Sequence, residues 1–471
     1  MSFISFSFLA FYLLALAWRW GPGWGRSLRI VGLLVLSWVF YAWHVPALVF
    51  LLLFSTLTDY YAACWLAATP PIAKYQRRTI LAGSLVINLG LLGYFKYGGF
   101  LVETINDLAH LGWPVPDILL PIGISFYTFQ SMSYTVDVYH GRVEAEKSFV
   151  KVACYIAFFP QLVAGPIVRA GEFLYQLARP RRFRAKVFSA GAYLILRGLF
   201  LKIVIADNLG ILVNQHWEQA VGDPHSTLAL AMLVFFSCQL FCDFAGYVDI
   251  ARGVAYQLGF RLPINFNAPY LATSFTEFWR RWHITLSQWM RDYLYIPLGG
   301  SRKGQLRFYC NLMLVMLLSG FWHGAAWTLV AWGGVLGLVL VVEKLLGMDK
   351  PSRLFGMALV WLLLVQMTWI LSMGLFRSGT FSDGVAIMQN ALLGLSLLPE
   401  MGLAVEGTGG LIMLGWWLTI PVWLLHGRTW LAERTVLGPP ARIEKAIYSG
   451  AMLAAVLMLY AGNQPFIYFQ F

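Results

Sequence analysis

One histidine, His323, stands inside an apolar stretch where an ionisable side chain is costly. It lies in the run Ser319-Gly-Phe-Trp-His-Gly, between apolar residues 311–322 and 325–342. Such a residue is usually retained because it functions, and imidazole is the side chain best suited to proton transfer near neutral pH. Two interpretations stay open: a neutral structural histidine bonded to a carbonyl oxygen, or a catalytic base.

A second histidine, His283, lies in the segment 275–307, which interleaves aromatic and basic residues. Helical periodicity places its tryptophans on a shared face. Taken alone, the pattern favours an amphipathic helix at the lipid interface. The functional alternative is a basic, aromatic-walled vestibule for a donor that carries phosphates, such as coenzyme A. The candidate lining residues are Trp279, Arg280, Trp282, Arg291, Asp292, Tyr293, Tyr295, Pro297 and Arg302.

An acidic residue, Asp243, falls within the apolar segment 227–254. A carboxyl group inside a membrane span needs a partner, and Arg252, Arg280 or a histidine are the candidates. This requirement favours a structural ion pair over a direct catalytic role. Tyr247, in the same stretch, joins the candidate lining residues.

The composition sets the class of protein that must position these residues. Of the 471 residues, 59% are hydrophobic and only 12% are charged, with a mean hydropathy of +0.67. A soluble protein has roughly 25% charged residues, so the solvent around this chain must be lipid. The net charge of +12 comes from Lys and Arg between the apolar runs, where they set topology and meet anionic lipid. This placement argues against nucleic-acid binding.

The apolar runs predict an all-α, polytopic membrane protein. A crossing needs about 20 apolar residues. Two shorter runs, 149–164 and 308–322, are ambiguous. The sequence predicts about eleven spans, at 3–18, 28–43, 45–68, 79–97, 118–138, 187–206, 227–254, 325–346, 355–376, 409–426 and 446–462.

The charges of the connecting segments predict the topology. Segments 19–29 and 74–78 are basic and are expected in the cytoplasm, whereas 43–46 and 98–117 lack Lys and Arg and are expected outside. The N-terminus is then outside, and the first apolar run is a span rather than a cleavable signal. The segment 207–226 also lacks Lys and Arg and is expected to be an outside loop.

The run 149–164 joins two basic segments and is too short for a complete crossing between them. It predicts a re-entrant hairpin or a buried half-helix, which membranes tolerate only where it packs in protein. We expect one membrane domain over 1–471, with N-terminal spans in 1–140, a re-entrant and catalytic core in 141–324 and C-terminal spans in 325–471. The five cysteines form no CxxC pair and favour small buried hydrophobes over a metal site.

Three motifs together resemble the membrane-bound O-acyltransferase (MBOAT) family. They are Trp-Arg-Arg-Trp-His at 279–283, Arg-Asp-Tyr-Leu-Tyr-Ile-Pro-Leu-Gly-Gly-Ser-Arg at 291–302, and Ser-Gly-Phe-Trp-His-Gly at 319–324. Gly165-Pro166, the stretch from 243 to 252 and the ending 465–471 are also similar. The resemblance covers most of the chain. It is greatest to the bacterial branch that serves O-acetylation of exported polysaccharides such as alginate or cellulose, and D-alanylation of teichoic acids.

The resemblance implies a ring of helices around a central funnel that opens to both sides of the membrane. His323 matches the active-site histidine, and His283 matches a second family histidine that is often Asn in eukaryotic members. Trp322 and Ser319 would line the site beside them. No bound cofactor or metal is implied.

The implied activity is O-acyl transfer in a bacterial inner membrane. An acyl thioester, expected to be acetyl-CoA, would bind from the cytoplasm as co-substrate, and an acceptor hydroxyl would come from outside. A periplasmic SGNH-type partner, together with a polysaccharide synthase complex, would carry the acetyl group to the polymer. His323 would act as a general base, or as a transient acyl carrier.

Two other classes of function stay open on the sequence. A secondary transporter for a polymer precursor would use the re-entrant segment as its binding site, but would be expected to contain inverted repeats. A non-catalytic scaffold of an export complex would leave both the basic aromatic segment and His323 unexplained. Transfer of D-alanyl or another acyl group to a cell-wall polymer is the alternative within the acyltransferases.

Overall fold

The computed structural model describes residues 1–180, 182–224, 227–349, 355–396, 409–434, 442–460 and 465–467. The regular secondary structure of these residues is all helical, without strands. Seven of the described helices are long and apolar enough to cross a membrane. The fold is therefore that of an all-α, multi-pass membrane protein, as the composition predicts.

The chain divides into two compact units. The first consists of residues 1–195 and 247–263. Its helices are α1 (Phe6–Trp20), α2 (Arg26–Ala42), α3 (Leu48–Ala68), α4 (Lys74–Ala109), α5 (Ile124–Tyr139), α6 (Phe149–Ala157), α7 (Phe159–Leu162), α8 (Ala170–Ala178), most of α9 (Ala185–Leu199) and the last part of α11 (Leu228–Gln257).

The second unit consists of residues 196–246 and 264–471 and contains both candidate histidines. It includes most of α11, and π-helical segments at Phe200–Ala206 and Arg291–Tyr295. Its other helices are α10 (Asp207–Gly222), α12 (Phe275–Arg281), α13 (Ile284–Met290), α14 (Gln305–His323), α15 (Trp327–Leu345), α16 (Phe355–Arg377), α17 (Phe381–Ser396), α18 (Gly409–Arg434) and α19 (Arg442–Met458).

Each of the eleven predicted spans corresponds to a helix, with edges shifted by a few residues in most cases. Residues 461 and 462 of the last span lie outside the described residues. The expected outside loop at 207–226 is wrong in one respect, because residues 207–222 form α10. Its apolar positions recur on one buried face that includes Leu209, Leu212, Val213 and Trp217.

The ambiguous run 149–164 forms two short helices, α6 and α7, separated at Phe158. Residues 152–164 are buried throughout. The two short helices are enclosed in protein, which is the condition for an incomplete apolar segment at membrane depth.

The other ambiguous run belongs to α14, a continuous helix of 19 residues. Two glycines bring α14 and α15 into backbone contact. A Cβ atom on Gly320 would lie 2.2 Å from the Leu329 carbonyl oxygen, and one on Gly333 would lie 2.3 Å from the Met316 carbonyl oxygen. Only glycine permits this approach. The glycine contact fixes the end of α14, where His323 stands.

Candidate active site

His323 is the last residue of α14 and is followed by Gly324 in extended conformation. Its side chain is 4% exposed. Three aromatic rings surround the imidazole with centroid distances of 5.1 Å for Trp322, 5.3 Å for Trp332 and 5.7 Å for Phe376, all edge-on. These walls keep bulk water from the ring, which strengthens electrostatic interactions within the site.

His283 reaches the same place from a different part of the chain. It is 1% exposed, and its ring centroid lies 5.9 Å from that of Trp322 and 4.8 Å from that of Phe244. The Trp322 indole therefore contacts both histidines. Burial lowers the pKa of the His283 imidazole to about 3, so the ring is neutral at physiological pH.

The backbone of His283 adopts the left-handed conformation, with φ of +39°. This conformation is uncommon for a residue with a side chain and persists only where the surroundings enforce it. It divides the expected amphipathic helix into α12 and α13 and turns the imidazole into the interior. A single continuous helix across 275–290 is therefore absent.

Asn265 enforces the turn at His283. Its backbone carbonyl accepts the Ile284 N–H at 2.9 Å, and its side-chain oxygen accepts the Thr285 N–H at 3.0 Å and the Thr285 hydroxyl at 2.9 Å. On the other side of the turn, the Asn267 N–H donates to the Arg281 carbonyl at 2.9 Å. The segment 265–267 thus holds the chain on both sides of His283.

Glu343 of α15 holds the start of α12. This buried carboxylate accepts the backbone N–H groups of Phe275 and Thr276, and the Thr276 hydroxyl. A carboxylate is favourable at a helix N-terminus because it satisfies unpaired N–H groups and complements the helix dipole. The same α15 therefore contacts α14 through glycine and α12 through Glu343, and fixes both histidine-bearing segments.

Trp279 and Trp282 lie in the aromatic core next to the histidines. Trp282 is 1% exposed, and its ring centroid is 4.7 Å from that of Trp369. The Trp279 ring lies 6.4 Å from that of Trp332, which itself contacts His323. Their common face therefore packs against protein rather than lipid.

The charged and turn residues of the segment lie apart from this core, at the surface. Arg280, Arg291, Pro297 and Arg302 are exposed, and Asp292, Tyr293 and Tyr295 are partly exposed. The Arg291 Nε–H donates to the Asp292 carboxylate at 2.7 Å. The segment thus has a buried aromatic part and an exposed basic part.

Asp243 has a different partner from the three considered in the sequence. It pairs with the Lys202 ammonium at 2.8 Å, and Lys202 also pairs with Asp207 at 2.8 Å. The prediction of Arg252 or Arg280 as partner is wrong, because Lys202 comes from the π-helical segment Phe200–Ala206, whose wider turn falls inside a predicted span. The predicted structural ion pair is present.

The ion pair also anchors the C-terminal segment. The Asp243 carboxylate accepts the Ile467 N–H at 2.6 Å, and the neighbouring Phe244 ring lies 6.1 Å from Phe466 and 4.8 Å from His283. Residues 468–471 of the C-terminal motif lie outside the described residues. Asp243 therefore supports the wall behind His283.

Two other predicted lining residues differ in their placement. Ser319 is buried one helical turn before His323 on α14. Tyr247 belongs to the first compact unit, where its ring stacks on Phe3 at 4.6 Å.

Sequence reasoning missed the residues that position the site: Lys202, Asn265, Glu343 and the tryptophan partners Trp332 and Trp369. Glu343 and Lys202 are each a charged residue within an apolar run, and this placement is the feature of the sequence that could have identified them as paired, structurally important groups. His426 of α18 is also buried, at 2% exposed, and its ring stacks on that of Tyr270 at 5.2 Å.

Taken together, the fold and the buried site define a multi-pass membrane protein with two histidines and an indole at an enclosed centre. A family model described as MBOAT, membrane-bound O-acyltransferase family, matches residues 144–375. That range contains both histidines and every helix that positions them from α11 to α15.

Proteins of known family are similar over much of the chain. The probable alginate O-acetylase AlgI of Azotobacter vinelandii is 36% identical and covers 93% of this chain and 94% of its own. The probable alginate O-acetylase AlgI of Pseudomonas putida is 40% identical over 74% of this chain and 72% of its own. The peptidoglycan O-acetyltransferase of Helicobacter pylori is 34% identical over 78% and 74%. The chain belongs to the membrane-bound O-acyltransferase family and is an O-acyltransferase.

Proposed function

We propose that the protein transfers an acetyl group from cytoplasmic acetyl-CoA to a hydroxyl group supplied from the outer face of a bacterial inner membrane, in the O-acetylation of an exported polysaccharide. The observation that carries the proposal is the burial of His323 at the C-terminal end of α14, where α14 packs against α15. A neutral imidazole in an apolar cage is a suitable base.

In the reaction, His323 takes the proton of the acceptor hydroxyl while its oxygen attacks the acetyl carbonyl carbon. The tetrahedral intermediate collapses with cleavage of the carbon–sulfur bond. The proton on His323 then goes to the departing thiolate, so that free coenzyme A and an O-acetyl ester are formed. His283 and Trp322 orient the thioester, since both lie beside His323.

The exposed basic residues Arg280, Arg291 and Arg302 support a phosphate-bearing donor at the cytoplasmic side. Guanidinium groups bind phosphate oxygens well because their N–H donors match the anion's geometry. Acetyl-CoA carries phosphates at the end remote from its thioester, so the basic surface can hold the donor while the thioester enters the aromatic core.

The acceptor polymer is proposed from the relatives, whose names refer to acetylation of alginate and of peptidoglycan. Acetyl transfer is favoured over D-alanyl transfer because the similarity to teichoic acid D-alanyltransferases is lower, at 28–29% identity over 47% of the chain. A periplasmic SGNH-type protein is the proposed partner in delivery to the polymer.

The decisive experiment uses inverted membrane vesicles that enclose the partner protein and the polymer, with radiolabelled acetyl-CoA added to the medium, which the cytoplasmic face contacts. Exchange of His323 for alanine should lower acetyl transfer and coenzyme A release at least a hundredfold, since general base catalysis contributes 10²–10⁴ in rate. His44→Ala, an exchange of an exposed histidine, is the matched control and should retain activity. Full activity of His323→Ala, with protein present in the membrane, would refute the role.

A further inference from the structure

A polar cavity lies next to Phe376, one of the aromatic residues around His323. It has a volume of about 260 Å³ and is lined by Trp217, Glu218, Val221, Arg377, Ser378, Gly379 and Asp383. The Phe376 ring centroid lies 5.7 Å from that of His323, and the next residue, Arg377, lines the cavity. The cavity and the candidate active site are therefore neighbours. All of these residues belong to the second compact unit.

The guanidinium group of Arg377 is held rigidly in this cavity. Its central carbon lies 4.8 Å from the Trp217 ring centroid and 5.0 Å from that of Phe236, and one terminal nitrogen donates to the Asn214 amide oxygen at 2.8 Å. Stacking on aromatic rings and one fixed hydrogen bond pre-organise the remaining donors. Phe236 also packs beside Phe376 at 6.3 Å, so the arginine support and the active-site wall are continuous.

Two polar groups at the cavity have hydrogen-bonding capacity that the described part of the chain does not use. These are the Nε–H of Arg377 and the hydroxyl of Ser378, a residue that is 6% exposed. Buried polar groups normally find partners, and unused capacity at a cavity points to a ligand. Glu218 and Asp383 add carboxylate acceptors on the same rim.

The charges select the chemistry of that ligand. One guanidinium and two carboxylates give the cavity a net negative charge, which disfavours a carboxylate-bearing sugar. Sugar hydroxyls, by contrast, both donate and accept, and match a mixed set of N–H, O–H and carboxylate groups. The cavity is smaller than a site for a drug-sized ligand and is suited to one ring of a chain.

We infer that this cavity binds a neutral sugar unit of the acceptor polysaccharide on the outer side of the active site. The absence of Lys and Arg from 207–222, which supplies Trp217 and Glu218, predicts that side. The inference deepens the proposed function, because a polymer held beside Phe376 is available to receive the acyl group directly or through the partner protein. It narrows the proposed acceptor, an exported polysaccharide, to a neutral glycan, in contrast to the uronate polymer alginate that the names of several relatives refer to.

The test is calorimetric titration of the purified full-length protein in nanodiscs with two probes of equal length, cellotetraose and a mannuronate tetramer. Cellotetraose should bind saturably and at least tenfold more tightly than the uronate. Asp383→Asn and Glu218→Gln should weaken cellotetraose binding and reduce the discrimination against the uronate, since each removes a negative charge. Asp107→Asn, an exchange of an exposed carboxylate on α4, is the matched control.

The inference would be overturned if the uronate bound as tightly as cellotetraose or more tightly, or if neither probe bound saturably. The cavity would then be a candidate contact for side chains of a partner protein. An unchanged ratio in Asp383→Asn would overturn the inference as well. Thermal unfolding of each variant separates loss of binding from loss of fold. His323→Ala should bind cellotetraose as the parent does, so failure of the catalytic proposal and failure of the sugar site give different results.

Discussion

At the scale of single residues, the turn at His283 shows how this protein places an imidazole inside its interior. A left-handed residue with a side chain is unfavourable by itself, and three hydrogen bonds that Asn265 accepts hold the following residues in place. The conformation of His283 therefore depends on a residue 18 positions earlier in the chain. Spacing and periodicity do not contain that information.

This dependence gives a graded prediction. Asn265→Ala removes two side-chain hydrogen bonds, and Thr285→Val removes one of them, so activity should fall in that order. We expect a loss of about 1–3 kcal/mol in stability for Asn265→Ala, because buried donors are left without an acceptor. Thr285→Ser keeps the hydroxyl and should behave as the parent. Acetyl-transfer rates and thermal unfolding in detergent measure both effects.

A second result should accompany that series. If Asn265 acts by positioning His283, the variant that fails in transfer will still bind acetyl-CoA in equilibrium dialysis, because the exposed basic residues are unchanged. Loss of acetyl-CoA binding in parallel with loss of transfer in Asn265→Ala, or full transfer activity in that variant, would contradict a positioning role.

At the scale of elements, the contact of α14 with α15 determines where His323 stands. Gly320→Ala places a methyl group 2.2 Å from a carbonyl oxygen, so the helices must separate. Overpacking of this kind costs about 1–3 kcal/mol. We expect a lower unfolding temperature and at least a tenfold loss of acetyl transfer.

Gly427→Ala on α18 is the control for that exchange, since among the described residues no neighbouring atom lies within 4 Å of a Cβ placed there. Alanine in an open helix position should stabilise the protein slightly. A parent-like unfolding temperature in Gly320→Ala would show that α14 and α15 tolerate separation, contrary to expectation.

The ion-pair cluster of Lys202, Asp207 and Asp243 is a further element-scale feature. Lys202→Met leaves two buried carboxylates without their cation, which typically costs 3–5 kcal/mol. We expect the variant to be much less stable and to accumulate poorly in membranes. Lys186→Met, at an exposed lysine of α9, should leave accumulation unchanged, and quantitative immunoblotting compares the two. Normal accumulation of Lys202→Met would show that the cluster is dispensable.

Much of the architecture could be predicted from the sequence, because a helix that crosses lipid must be long and apolar. An ionisable group inside such a helix is costly and therefore indicates an ion pair or a functional site. Each of the eleven apolar segments contains a described helix. Predictions failed where a local backbone feature changes the register: the π-helical turn that brings Lys202 to Asp243, and the left-handed His283 that divides α12 from α13. Both depend on contacts between residues distant in the chain.

The candidate site was predictable to a similar extent. His323 and Trp322 follow from the motif and from the cost of a buried histidine. The division of segment 275–307 into buried aromatic and exposed basic parts required the structure, since Trp279 and Arg280 are adjacent in sequence but face different surroundings. The partner Glu343 lies 68 residues from Phe275 and carries no local signal of that contact.

At the scale of the whole molecule, the proposed reaction requires a defined orientation in the membrane. The loop charges predict that Asp117 faces outside and Lys74 faces the cytoplasm, and both positions are exposed. In a variant with Cys310→Ser and Cys64→Ala, cysteine at position 117 should react with a membrane-impermeant maleimide in intact cells. Cysteine at position 74 should react only after the membrane is opened.

The three remaining cysteines are buried and should not contribute to labelling. Labelling of position 74 in intact cells would show that the topology is the reverse of the predicted one. The sides assigned to donor and acceptor would then also be exchanged. An acetyl-transfer assay of each labelled variant confirms that the protein examined is active.

The glycine contact between α14 and α15 has a consequence for genetics. Every missense change at Gly320 or Gly333 adds at least a Cβ atom, and at both positions that atom would overlap a backbone carbonyl oxygen. In a screen scored by loss of polymer acetylation, mutations at these two codons will therefore accumulate as readily as mutations at His323. Frequency of recovery in such a screen will identify both the residues that hold the proposed catalytic centre together and those proposed to react, and protein abundance will be needed to tell them apart.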